Sequence, residues 1–133
     1  MTATEPGVIT KLSPRPFDAT VSRLTSLIDQ KGLKLFGVID QRAEAQNAGL
    51  DLRDTTLVLF GSPAAGTPVM EAAPLSALDL PLKVLIWADD GQVNVSYLAP
   101  AALASRHDLS PELASRLDGI GPLTDALVAP DQG

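Results

Sequence analysis

Leu82-Lys-Val-Leu-Ile-Trp-Ala88 and Gln92-Val-Asn-Val-Ser-Tyr-Leu98, joined by Asp89-Asp-Gly91, decide how this chain folds. Two strand-length apolar runs meet at an Asp-Gly pair, and that pair suits a tight turn whose residues need positive φ. In the second arm Val93, Val95 and Tyr97 alternate with Asn94 and Ser96, so one face is buried and the other meets water. Trp87 and Tyr97 stand on opposite arms and are expected to be cross-strand partners. A hairpin at this point argues against a doubly wound parallel sheet.

Working outward, Thr55–Phe60 is β-branched and apolar on both faces, the pattern of a buried strand. Leu33–Ile39 and Val8–Leu12 read as further strands, the latter ended by Pro14 and Pro16. Between them Phe17, Val21, Leu24 and Ile28 share one helical face, which predicts a helix over residues 18–31. Asp18 is placed to cap or charge its start, and Gly32 to stop it. Arg42–Ala48 reads as a short helix stopped by Gly49. Gly61–Gly66 reads as a loop, followed by a helical turn from Pro68 with Thr67 as N-cap. Helices at Pro100–Ser105 and from Ser110-Pro111-Glu112, kinked at Gly119 and Gly121-Pro122, close the chain.

The expectation is an α+β single domain over residues 8–128, a curved, mainly antiparallel sheet with helices packed on one face. Residues 1–7 are expected to be a flexible leader and 129–133 a frayed tail. A length of 133 residues leaves no room for two adequate cores. The 45% hydrophobic and 20% charged composition is that of a globular, soluble chain, and 4% aromatics leaves the core to Leu, Val, Ile and Ala.

Net charge is −6, and the ten Lys and Arg are scattered, so nucleic acid and anionic membrane surfaces are not expected partners. The absence of cysteine removes disulfides and thiolate chemistry, and suits a cytoplasmic location. No apolar run approaches the roughly 20 residues needed to span a bilayer.

Candidate chemistry is sparse. Gly61-Ser-Pro-Ala-Ala-Gly66-Thr67 has the glycine spacing of a phosphate loop, but Thr67-Pro68 stands where Lys and Ser/Thr would hold phosphate and magnesium. It reads as a structural turn. His107 is the only imidazole and is expected to meet the negative end of a helix. With one His and no Cys, no metal or cofactor is expected. Asp79, between apolar residues, is expected to be partly buried and bonded to loop amides, with Lys83 as a counter-charge.

The stretches Phe60-Gly-Ser-Pro63, Gly66-Thr-Pro-Val-Met70 and Leu78-Asp-Leu-Pro-Leu-Lys83, together with Ala48-Gly49-Leu50, Tyr97 and Pro100, resemble the domain-of-unknown-function family 302 over roughly residues 8–128. The resemblance implies a β-α-β-β-β-β-α order, an antiparallel sheet backed by helices, and homodimers. It implies no activity. Ser62 stands where the family usually has Asn, and Gln41 where a His is common, so a use made of those side chains is lost or altered here.

The expected function is a dimeric, non-enzymatic module that binds a small molecule or a protein. The candidate ligand-binding residues are Asp40, Gly61, Ser62, Gly66, Thr67, Met70 and Asp79, and no catalytic residue is assigned. A purely structural homodimer is one alternative. A carboxylate-dependent enzyme is another, and it requires Asp40 and Asp79 in one cleft.

Overall fold

The computed structural model of the protein describes residues 7–131. Strands β1 (Val8–Ser13), β2 (Lys34–Asp40), β3 (Thr55–Gly61), β4 (Leu82–Asp89) and β5 (Gln92–Leu98) form one sheet. Their order is β1-β5-β4-β3-β2, and every neighbouring pair is antiparallel. Helices α1 (Phe17–Gln30), α2 (Gln41–Asn47), α3 (Pro63–Ala72), α4 (Pro100–His107), α5 (Pro111–Ser115) and α6 (Ile120–Val128) complete the chain, with a 3-10 turn at Pro74–Leu78. This is the α+β, antiparallel architecture expected from the hairpin. Of the expected leader and tail, residues 1–6 and 132–133 lie outside the described residues.

The hairpin closes on the Asp89–Gln92 pair, and Asp90 (φ 51°) and Gly91 (φ 81°) both take the left-handed conformation. That is the two-residue turn whose twist matches its flanking strands.

Register sorts the side chains. Val58, Phe60, Val84, Ile86, Val95 and Tyr97 point to one face, where they pack with Leu24 and Ile28 of α1 and Leu123 and Leu127 of α6. Trp87 lies opposite Asn94 and Tyr97 opposite Ile9, so the two aromatics are not partners. They differ in strand parity and occupy opposite faces. The Trp87 indole instead donates to Ser96 Oγ (2.9 Å) on the face away from α1, and Thr10 Oγ1 shares a 2.8 Å bond with the same hydroxyl.

Side chains fasten α6 to the rest. Arg15 donates to the carbonyls of Leu127 and Ala129, each at 2.7 Å, and Arg23 to that of Ala126 (3.1 Å). These are the acceptors a helix C-terminus leaves unpaired. Lys11 reaches Thr124 Oγ1 at 2.7 Å and joins β1 to the same helix.

Two helix starts differ from expectation. Asp18 makes no cap but lies in the first turn of α1, where it charges the helix start; Pro16 is the N-cap, and Thr20 Oγ1 donates to its carbonyl at 2.9 Å. The supposed Gly61–Gly66 loop is the end of β3 and the first turn of α3. Ser62, not Thr67, is the N-cap, its Oγ accepting from the Ala65 amide, and Pro68 lies inside the helix. Pro63 holds the first helical position, where a missing N–H is cheapest.

A second apolar cluster forms beyond the end of the sheet from Val69, Leu103 and Leu117, and Leu82 packs against both clusters.

Candidate functional site

β3 runs into α3 with only Ser62 between them. The turn is tight, and small residues line its inner side. A cavity of about 430 Å³ opens there. Gly61, Ser62, Ala65, Gly66, Thr67 and Met70 form the side under α3. Phe36 of β2, Phe60 of β3 and Leu82 of β4 form a second wall, and Leu80 with Pro81 a third. Leu117 and Ile120 close it from the α5–α6 segment, and Arg116 stands with them as the single charged side chain in the lining.

The glycines matter by what they omit. A Cβ on Gly66 would lie 3.9 Å from Leu80 Cδ1 and 4.0 Å from Met70 Cε, and one on Gly61 would lie 3.8 Å from the Phe36 ring. These are ordinary contact distances, so a larger side chain would fill the cavity rather than break the backbone.

Five of the candidate residues, Gly61, Ser62, Gly66, Thr67 and Met70, therefore line one cavity. The two carboxylates do not join them. Asp40 is exposed and caps α2, accepting from the Ala43 amide at 2.9 Å. It pairs with Thr56 at one end of β3, whereas Asp79 precedes Leu82, which pairs with Phe60 at the other. Those positions on β3 are four residue steps apart, roughly 13 Å. The single cleft that a carboxylate pair needs does not form.

Asp79 has its own setting beside a smaller cavity of about 230 Å³. His107 Nε2 donates to its Oδ2 at 2.5 Å, and Arg106 Nη1 meets both oxygens at 3.0 and 3.2 Å. Burial opposes ionisation of this carboxyl, but the His107 bond and the Arg106 charge outweigh it and hold the group below its ordinary value. The expected partners were wrong. Lys83 Nζ bonds the backbone carbonyls of Asp79 and Pro81, not the carboxylate, and the carboxylate meets side chains rather than loop amides. His107 does end α4, but its ring is turned to Asp79.

No carboxylate or imidazole lines the larger cavity, and the Ser62 hydroxyl is engaged as a helix cap. The arrangement can hold a molecule, but it presents no activated nucleophile or base. Among the described residues no three His, Asp or Glu side chains gather as a metal site. Phe36, Leu80, Leu82, Arg116 and Leu117 were absent from the expected site. Each is an ordinary core or surface residue by local pattern, and only the fold brings them together.

Comparisons with known proteins agree with this fold. A solved structure described as an uncharacterized conserved protein DUF302 from Bacillus stearothermophilus superposes with a TM-score of 0.78 at 18% identity, covering 93% of this chain and 97% of that one. Among curated proteins, "Fluoride-specific ion channel FluC 1" of Brucella suis is 36% identical over 104 residues, 77% of this chain and 41% of that protein. "Fluoride-specific ion channel FluC 2" of Brucella melitensis matches equally over 38% of its length. The chain thus spans about two fifths of the curated relatives it matches. No helix among the described residues is long and apolar enough to cross a membrane. The family pattern itself matches residues 9–122, and the chain belongs to the family described as Domain of unknown function DUF302.

Proposed function

We propose that the protein is a small-molecule-binding module, with its ligand seated in the cavity beneath α3. The observation that carries this reading is the cavity itself: about 430 Å³, walled by apolar and aromatic side chains, with few polar groups. Sites for small organic molecules have this size and character. The lack of a carboxylate, imidazole or thiol in the lining, which leaves its hydroxyls without a base, supports binding over catalysis. Fluoride, which the Brucella relatives are named for, is strongly hydrated and suits such a lining poorly. The module is read as one that can be joined to other functions in a longer protein. Its placement in the cytoplasm belongs to the same proposal, suggested by the absence of cysteine.

The test uses a small neutral naphthalene fluorophore and the Gly66→Leu variant. Wild type should bind the probe, and Gly66→Leu, with an unfolding midpoint no lower than that of wild type, should weaken binding at least tenfold. Equal binding by a folded variant would remove the reading.

A homodimer is the second element of the proposal, and one edge of the sheet favours it. β2 is an edge strand whose Leu35, Phe36, Val38 and Ile39 are 38–48% exposed. An apolar edge without proline is a template for pairing. A register shift lies between Leu35 and Gly37, so regular antiparallel pairing of two copies would use residues 37–40 of the strand. Sedimentation at tens of micromolar should give a dimer, and Val38→Lys should give a monomer. A wild-type monomer at that concentration would rule the dimer out.

A further inference from the structure

The charge pattern of the cavity narrows what it can hold. Its apolar walls exclude a ligand that is polar throughout. It contains no carboxylate, so a cationic or zwitterionic ligand would find no counter-charge. Arg116 is exposed, and among the described residues its guanidinium makes no hydrogen bond and no ion pair. Glu112, four residues before it, and Asp118, two after it, are the nearest carboxylates in sequence, and neither engages it. Lys34 lies outside the lining but adds positive charge nearby, its ammonium 5.2 Å from the centroid of the ring of Phe36, which does line the cavity. A dianionic phosphate needs several converging donors, and Pro63 at the first position of α3 removes one of the amides that could supply them.

We infer that the cavity takes a medium-chain amphiphile with a single negative charge, its hydrocarbon among Phe36, Phe60, Met70, Leu80, Leu82 and Leu117 and its carboxylate at Arg116. This rests on the small-molecule reading above and adds the ligand's class to it. The volume sets the length. At roughly 30 Å³ for each water-sized group, a space of about 430 Å³ holds roughly fourteen such groups. That is an acid of about eight to twelve carbons. A planar guanidinium matches a carboxylate with two parallel N–H bonds, a geometry that an alcohol cannot use.

The test is competition against the neutral fluorophore by hexanoate, octanoate and decanoate, with octanol and octylamine as controls. Affinity should rise about fourfold with each added methylene until the cavity is full. Octanoate should bind about threefold more tightly than octanol, the preference an exposed ion pair supports, and octylamine more weakly than either. R116Q should bring octanoate down to the level of octanol, while R116K should keep part of the preference. Octanoate and octanol binding alike in wild type, or a preference untouched in R116Q, would overturn the assignment of the charge. Failure of the fluorophore and octanol to bind at all would instead overturn the underlying cavity reading, so the two failures are told apart.

Discussion

Replacing Asp79 with Asn should expose what the Asp79–His107–Arg106 cluster contributes, and the size of the effect follows from its burial. Asp79 is 16% exposed and His107 9%, so their bond lies in a water-poor place, whereas Arg106 is 58% exposed and its ion pair is largely screened. Hydrogen bonds to charged groups contribute roughly 1.5–3 kcal/mol, and the surface ion pair adds a fraction of one. The amide of Asn recovers part of this, so the expected cost is about 2 kcal/mol at neutral pH. For a chain of this length that lowers the melting temperature by roughly 7 °C.

The pH dependence makes the test specific. Asp79 has a folded-state value below its unfolded one, so the unfolded chain binds that proton more readily. The stabilisation is complete above the ordinary carboxyl pKa of about 3.9 and is lost as pH falls through the lower folded value. Urea unfolding followed by the fluorescence of Trp87, the chain's single tryptophan, is the assay. The difference between wild type and Asp79→Asn should hold steady down to about pH 5 and shrink at lower pH. A difference below about 0.5 kcal/mol at pH 7, or one unchanged into strong acid, would refute the assignment.

Other substitutions probe the frame around the site. Leu123→Ala, at a fully buried position between α6 and the sheet, should cost about 3 kcal/mol in denaturant unfolding. Arg15→Ala removes the donors to the Leu127 and Ala129 carbonyls and should cost about 1 kcal/mol, with faster amide exchange in α6 than in the sheet. The Ser76 hydroxyl is buried without a partner, so Ser76→Ala should be neutral or stabilising by about 1 kcal/mol.

Much of the fold was legible because its signals are local. Asp90-Gly91 needs only its own backbone preferences to turn, and the Val93–Tyr97 alternation needs only the two-residue period of a strand to sort its faces, although Asn94 and Ser96, expected to meet water, are buried as well, Ser96 beneath its bonds to Trp87 and Thr10. The Phe17–Ile28 spacing in α1 is of the same kind. The site was half legible. Gly61, Ser62, Gly66, Thr67 and Met70 sit in one stretch whose composition is unusual, but the first turn of α3 was read as loop because Pro68 looked like the helix start. A proline in the second turn removes one hydrogen bond, the one that would reach Ala64, and the Ser62 cap with the packing of Val69 holds the helix regardless. His107 and Asp79 are 28 residues apart, and Arg116 stands 55 residues from Gly61; no short-range rule relates them.

The cavity raises a question of stability that bears on its use. An enclosed void of 430 Å³, at about 24 cal/mol per Å³, would cost roughly 10 kcal/mol, as much as a whole domain commonly has in reserve. It persists because it opens to water and because the backbone around it is held on its own account. Phe60 and Leu82 are paired across β3 and β4, Ser62 caps α3, and Leu82 is wedged between the two apolar clusters. These walls cannot collapse inward without breaking strand pairing, so apolar surface stays wet until something covers it. A ligand and a larger side chain at Gly66 are then alternative ways of removing the same water. Gly66→Leu should unfold at a higher denaturant concentration than empty wild type, both by covering this surface and by replacing a helical glycine, which alone contributes about 1 kcal/mol. Wild type should gain stability as octanoate is added, by the logarithm of its saturation, and the variant should gain none. A Gly66→Leu protein that is stabilised by octanoate as much as wild type would show that the ligand's gain comes from somewhere other than this cavity.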